Sequence, residues 1–296
     1  MTTAEFVFDR WAASHQQRIE HVLYRVLPED SALPPRLHEA MRYAVLGGGK
    51  RVRALLSYAA AELAGTPVLT ADPSAAAVEL IHAFSLVHDD MPCMDDDDLR
   101  RGKPSCHKQY DDATALLVGD ALQSLAFECL AESQAPQALK QIQVLARATG
   151  SRGMCGGQSL DLQSTGQQLS LTALEQMHQH KTGALIEAAT LLGAYAANQT
   201  PLPLLNTLTT FSRHMGLAFQ VVDDILDATA DSQTLGKTAG KDARQAKSTY
   251  VSLLGLEAAR TLVNQLHEHT RALLAPYGQA ADPLRGIAHF ICERSF

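Results

Sequence analysis

Residues 72–101, DPSAAAVELIHAFSLVHDDMPCMDDDDLRR, decide how the chain is read. Asp72 followed by Pro73 has the form of an N-cap with proline at the first helical position, where the missing N–H costs nothing and φ is already helical. The run AAAVELIHAFSLVHDD contains no breaker, so the helix is expected to continue to Asp89 and Asp90. Pro92 then interrupts the ladder, and Asp95, Asp96, Asp97 and Asp98 follow, with Arg100 and Arg101 behind them. On an ideal helix Asp96 would return above Asp89, and Asp95 would stand roughly a third of a turn away. Because the proline breaks the phase, spacing leaves both Asp95 and Asp96 open as the distal partner of Asp89.

Working outward, most of the chain has the same helical texture. Thr172 with Glu175 three residues later fits a capping box opening a helix through LEQMHQHKTGALIEAATLLGAYA. A further segment runs from about Leu204 to Asp227 and ends in QVVDDILD. Another begins near Thr249 and includes LLGLEAARTLVNQLHEHTRALL. Gly47-Gly48-Gly49, the stretch 101–104, Gly156-Gly157 and TADSQTLGKTAGKDARQAK read as joints, and alternating strand patterns are scarce. Aromatics are only 5% of the 296 residues, and long stretches are Ala, Leu, Gln and Glu. These are helix formers, so one all-α domain over residues 1–296 is expected.

The bulk numbers exclude several classes. With 46% hydrophobic and 19% charged residues the chain is globular, not disordered. A net charge of −7 argues against a nucleic-acid binder, which needs a basic face. The N-terminal stretch MTTAEFVFDRWAASHQQRIE has no apolar core of a signal peptide, and no window approaches ~18 uninterrupted apolar residues, so no membrane span is expected. Cys93, Cys106, Cys129, Cys155 and Cys292 form no CxxC pair and are odd in number, which points to small core fillers in a reducing cytoplasm.

A second acidic cluster, Asp223, Asp224 and Asp227 in VVDDILD, mirrors the first. Asp223 and Asp227 are four apart and share a helix face, with Asp224 beside them. Carboxylates crowded at a helix C-terminus repel each other and the dipole's negative end. Cations relieve this, and hard oxygen ligands select Mg²⁺ or Ca²⁺. The apolar neighbours point these acids at an interior cavity instead of bulk water. An EF-hand is excluded by the missing central glycine and terminal glutamate. Basic residues accompany every acidic or glycine motif: Lys50, Arg51 and Arg53 after the glycine triplet, Arg100 and Arg101 after the first cluster, and Lys237, Lys241 and Lys247 after the second. A substrate pair carrying two diphosphates calls for such a set, with metal-held oxygens on one and direct Arg and Lys contacts on the other. The glycine triplet is not a P-loop, because its spacing is wrong and Arg51 follows Lys50. No nucleophile elbow or Cys/His pair is present.

In order along the chain, GGGKRVR, ELIHAFSLVHDDMPCMDDDDLRRGKPSCH, MCGGQSLDL, HKTGALIEAA, FQVVDDILD, LGKTAGKD and AKSTY resemble the motifs of the trans-prenyltransferases, in particular the bacterial farnesyl diphosphate synthase class. The resemblance covers roughly residues 47–256. It implies an all-α isoprenoid synthase bundle around a central cavity, several Mg²⁺ ions, isopentenyl and allylic diphosphate substrates, and a homodimer. Residue by residue it implies that Asp89, Asp90, Asp95, Asp223, Asp224 and Asp227 hold Mg²⁺ on the allylic diphosphate. Arg100, Lys181, Lys237 and Lys247 would contact that diphosphate, with Lys241 accessory. Lys50, Arg53, His82 and Arg101 would hold isopentenyl diphosphate, and Thr182 and Gln220 would lie beside Lys181 near the reacting carbons. Taken alone, His82 would be a core histidine and Lys181 a surface lysine; His88 and His107 are taken as structural.

Product length has a physical handle. Ser85 lies one turn before Asp89 on the same face, and Phe84 lies one residue deeper, where a ring can floor the pocket for a growing hydrocarbon tail. The two extra residues Pro92 and Cys93 inside the first acidic motif also resemble the farnesyl-making class. Val251, where many relatives have proline after AKSTY, and the tail ICERSF depart from the family pattern without touching this chemistry. The alternatives are a geranylgeranyl diphosphate synthase on the same fold, a non-catalytic partner subunit, or a squalene-synthase-like or cyclising enzyme, which would not need the Lys50, Arg53 and His82 set.

Overall fold

The computed structural model describes residues 6–229 and 247–293. Lys237, Lys241 and the last three residues of the ICERSF tail lie outside the described residues. Helices α1 (Phe8–Val26), α2 (Pro35–Val45) and α3 (Val52–Leu63) lead to α4 (Asp72–Asp89). A two-stranded antiparallel ribbon follows, β1 (Leu99–Arg100) with β2 (Lys103–Pro104), and then α5 (Cys106–Gln109), α6 (Asp112–Ala131), α7 (Ala138–Thr149) and α8 (Met154–Ser164). Helix α9 (Leu171–His178) passes through a π-helical turn (Gln179–Gly183) into α10 (Ala184–Ala194). Helices α11 (Leu202–Thr229), α12 (Tyr250–Leu254), α13 (Leu256–Leu274) and α14 (Asp282–Cys292) complete the fold. The fold is all-α, as the composition implies.

Helix α4 is the axis. It packs against α3, α6 and α10, and its residues from Ser74 to Ile81 are buried on every face. A helix that is apolar all round belongs inside a bundle, and the alanines 75–77 let its neighbours come close. The buried polar groups are spent on tying helices together. Ser57 donates to the Ala189 carbonyl at 2.7 Å, and Gln141 donates to the Leu192 carbonyl at 2.8 Å and to Ser74 at 2.9 Å.

Two expected caps take other forms. Asp72 does not cap α4, because a 3₁₀ turn at Val68–Ala71 leads directly into the helix. Its carboxylate instead accepts two hydrogen bonds from Arg18, both 2.7 Å, and one from Tyr58 at 2.9 Å, fastening α1 and α3 to the start of α4. Thr172 and Glu175 do not form a capping box. Ser170, with an extended backbone two residues earlier, accepts from the Ala173 amide and starts α9 at Leu171. A capping box does occur at Thr249 and Ser252, opening α12. The cysteines are all free; Cys106 is buried, but Cys93 and Cys155 are exposed, so these two are not core fillers.

Helix α6 is, among the described residues, the one helix long and apolar enough to cross a membrane by length and composition, a test that the core helix of a bundle also passes. Only 39% of its apolar window is buried within the chain, and Leu116 and Leu117 are about half exposed at 47% and 54%.

The α3–α10 contact leaves no room for a side chain at Gly193, since a Cβ there would stand 2.0 Å from the Ser57 carbonyl oxygen. We expect Gly193→Ala to lower stability by roughly 1–3 kcal/mol through overpacking, measured as a fall in the urea midpoint at unchanged slope.

Candidate active site

A cavity of about 1590 Å³ opens between α4, α8, α11, the π-helical turn and the glycine loop. Both acidic clusters line it: Asp89, Asp95, Asp96, Asp97 and Asp98 from the first, and Asp223, Asp224 and Asp227 from the second. The local backbone explains how the first is assembled. The C-terminal carbonyls of α4 need donors. The Asp-rich loop supplies them by folding back, with the Asp95 amide on the Asp89 carbonyl at 2.9 Å and the Asp97 amide on the Asp90 carbonyl at 3.2 Å. This places Asp95 beside Asp89. Asp96 adopts a left-handed backbone, φ 50°, and its 62% exposed side chain lies 4.0 Å from His107. The loop thus sets the Asp95 backbone directly against the end of α4 at Asp89, while the Asp96 side chain turns toward His107.

Asp90 was expected among the metal carboxylates, but it is buried, outside the cavity lining, and hydrogen-bonded to Arg100 through both Nε and Nη2. One helix position after Asp89 turns the side chain about 100° away. Its observed work is to aim Arg100. Asp224 has a similar anchoring contact, accepting from the Tyr250 amide at 2.6 Å and so docking α12 on α11.

The cations fall into two groups by their neighbours. Lys181 and Lys247 converge on Asp161 of α8, at 2.6 and 3.4 Å. Lys50, Arg53 and Arg101 line the cavity with His82, whose field the two arginines dominate. Arg101 donates to the Gly48 carbonyl at 2.6 Å and lies flat against Gly49, where a Cβ would sit 3.1 Å from its guanidinium carbon. Gly49, at φ 122°, thus serves both the turn and the close approach of Arg101. Arg53 is half-buried, and its Nε is fully buried with no hydrogen-bond partner among the described residues. Burial lowers its pKa from the usual arginine value, against the pull of Glu79 and Asp223. His82 is pushed well below the usual imidazole value by burial and then by Arg53, Arg101 and Arg100, so it is a neutral hydrogen-bonding group among cations.

Thr182 and Gln220 also face the cavity, and Gln220 donates weakly to Asp223 at 3.4 Å. Lys181 and Thr182 sit in the π-helical turn, the kind of local irregularity that concentrates at functional sites. Helix α8 presses on that turn: a Cβ at Gly157 would meet the Lys181 amide nitrogen at 2.1 Å.

Several cavity residues carried no assignment from sequence. Asp161 stood inside the MCGGQSLDL motif with no role, although a lone acid in an otherwise neutral motif is a signal. Gln158 from the same motif lines the cavity, and neither of its buried amide atoms has a partner among the described residues. Glu79 reads as an isolated acid in an apolar helix. It is buried, bonds Arg51 at 3.2 Å and receives the Ala54 amide at 3.1 Å. Arg51 also bonds Glu20 and the Val45 carbonyl, each at 2.7 Å, and its left-handed backbone, φ 48°, turns the chain between Lys50 and Arg53.

The donor set fits divalent metal. Asp89 is pushed up to about 6 by burial, with Lys181 opposing and Asp95 reinforcing the shift. A buried carboxylate whose charged form is disfavoured regains it when a cation binds, and all the facing donors here are hard oxygens.

An all-α bundle whose two carboxylate clusters face one cavity lined by Lys and Arg is an isoprenoid synthase fold. The chain belongs to the polyprenyl synthetase family, whose description matches residues 34–275. It is 47% identical over 265 residues to the farnesyl diphosphate synthase of Escherichia coli K12, covering 87% of this chain and 89% of that protein. It is 46% identical over 279 residues to the heterodimeric geranylgeranyl pyrophosphate synthase large subunit 1, chloroplastic, of Arabidopsis thaliana, covering 90% and 75% of the two chains. The solved geranyltransferase of Helicobacter pylori, complexed with magnesium and isoprenyl diphosphate, superposes with a TM-score of 0.87 at 32% identity, covering 99% of this chain and 100% of that one.

The raised pKa of Asp89 gives a pH prediction. Its metal-free carboxylate takes up a proton as pH falls through about 6, whereas the unfolded group does so near its ordinary value of 3.8. Metal binding must displace that proton. The Mg²⁺ concentration for half-maximal activity is therefore expected to rise as pH drops below about 6 and to be flat above it. An Mg²⁺ requirement that does not change across that range would contradict Asp89 as a ligand.

Proposed function

We propose that this enzyme is a prenyltransferase that condenses isopentenyl diphosphate with dimethylallyl and then geranyl diphosphate to give farnesyl diphosphate. The observation that carries this is the meeting of both acidic clusters and two separate cationic groups on one cavity. The shared name of the E. coli relative supports the fifteen-carbon product. The whole chain acts as one domain in this proposal.

Asp89, Asp95, Asp223 and Asp227 would hold several Mg²⁺ ions, which supply charge neutralisation for the departing diphosphate. Asp224 supports the second cluster from its contact with α12, and Asp90 acts through Arg100. Lys181, Lys247 and Arg100 take the allylic diphosphate, and Lys237, outside the described residues, is proposed alongside them. The allylic C–O bond breaks with its electron pair leaving on diphosphate, and a carbocation remains. Lys50, Arg53, His82 and Arg101 place isopentenyl diphosphate so that its double bond attacks that carbon. A neutral His82 suits this role, since it can donate to the phosphate oxygens without adding a further buried charge to the arginines. The new C–C bond leaves a cation that loses a proton to the released pyrophosphate. The Thr182 hydroxyl and the Gln220 amide stabilise the cation as dipoles, without trapping it covalently. Water must be kept out, because it would quench the cation.

Phe84 closes the apolar end. Its ring is 7% exposed and packs edge-on against His88, with ring centres 5.0 Å apart. His88 is held in turn by the Leu116 carbonyl at 3.0 Å and by the space at Gly119. His88 thus keeps its expected structural role, and that role is to fix the floor. The half-exposed apolar face of α6 lies behind this floor and is proposed to pack on a second copy of the chain. The free cysteines fit a reducing compartment, and cytoplasm is the proposed location.

With dimethylallyl and labelled isopentenyl diphosphate, chromatography is expected to show a fifteen-carbon product in Mg²⁺ and none after chelation. Phe84→Ala is expected to shift the product to twenty carbons and beyond. A wild-type product of twenty carbons would favour the activity named for the Arabidopsis relative, and no turnover would favour a partner subunit. Sedimentation is expected to give twice the 31.9 kDa chain mass, falling to the monomer when Leu116 and Leu117 are both changed to Glu.

A further inference from the structure

We propose that His267, His289 and Glu293 form a second metal site, suited to a borderline divalent transition ion such as Zn²⁺ and separate from the carboxylate cavity. None of the three lines that cavity. His289 and Glu293 are four residues apart on the last turn of α14, and the Glu293 amide donates to the His289 carbonyl at 2.8 Å, which holds that turn closed. One helical turn puts both side chains on the same face. Helix α13 packs against α14 and brings His267 across, with the two imidazole centres 5.8 Å apart and their planes inclined by 31°. One ligand atom from each residue lies within 4.8 Å of the other two.

Tetrahedral zinc with bonds of about 2.0–2.1 Å needs donors roughly 3.3 Å apart. His267 is half-buried, and His289 and Glu293 are exposed, so side-chain rotation can close the remaining distance without moving either helix. Two imidazoles and a carboxylate are a zinc-type donor set with a position left for water, whereas Mg²⁺ prefers oxygen ligands alone. The neighbouring charges do not compete, because Glu268 and Arg271 pair with each other at 3.2 Å. The site would fasten α14 to α13 from outside. Phe290 and Ile291 of α14 face the catalytic cavity, and the Lys50 ammonium lies 5.4 Å from the centre of the Phe290 ring.

The test is a calorimetric Zn²⁺ titration of chelator-treated full chain in millimolar Mg²⁺, which occupies the cavity carboxylates. Wild type is expected to bind one ion per chain with a rise in melting temperature. The His267→Ala/His289→Ala variant should lose that affinity by more than the roughly 10–100-fold that removal of an outer hydrogen-bond partner costs a metal site. Glu293→Gln should weaken it, while Mg²⁺-dependent prenyl transfer stays at the wild-type rate in both variants. Absence of micromolar binding to wild type would overturn the proposal. So would a double-histidine variant of native helicity, checked by circular dichroism, that still binds the ion and still gains melting temperature.

Discussion

Like charges brought together inside an apolar bundle govern this molecule. Carboxylates and guanidinium groups are costly to bury unless each finds a counter-charge. The fold deals with this by sorting its acids. Asp72 is matched to Arg18, Glu79 to Arg51, Asp90 to Arg100, and Asp161 to Lys181 and Lys247. All but the first of these pairs fix cations that line the cavity. Asp89 belongs to a different category: it is half-buried on the cavity wall near Asp95 with its pKa raised, and in the proposed function a bound cation relieves it. On that proposal, structural and functional acids differ in where the neutralising charge comes from.

The apolar pattern made much of this visible from sequence. The helix from Asp72 to Asp89, the long helix ending in DDILD and the joints between them follow from periodicity and breakers. Both acidic clusters and the basic residues beside them were readable as chemistry because charge in an apolar run has to be explained. The rest depends on tertiary contact. Asp72 looked like a cap because local spacing cannot reveal that Arg18, 54 residues away, reaches it first. Asp90 looked equivalent to Asp89 because the two are adjacent, yet a rotation of about 100° per residue sends one to the cavity and the other to Arg100. The seating of Asp95 against Asp89 rests on the loop's hydrogen bonds, which Pro92 hides from any helical extrapolation.

Close backbone approaches give the bundle the shape of a site. Where Gly157 touches the Lys181 amide, α8 carries Asp161 and Gln158 against the turn that presents Lys181 and Thr182. A normal α-helix through residues 179–183 would keep one register from α9 into α10. The π-helical turn shifts that register, so the buried positions of α10 and the cavity-facing positions of the turn can both be satisfied.

Helix α4 carries Asp89 and Phe84, both on the cavity wall, on one rigid element. In the proposed function it is a ruler, with the carboxylate at the charged end of the substrate and the ring at its hydrocarbon end. Between Asp89 and Phe84 the helix rises about 7.5 Å, and each further residue adds about 1.5 Å. A floor at position 84 instead of 85 also changes its direction by about 100°, so depth and orientation are set together by register. Because α4 is buried on nearly all sides, neither end can drift relative to the other without disturbing α3, α6 and α10 at once. On the proposed function, the rigidity that keeps water from the reactive cation is the same property that fixes how long the product can grow.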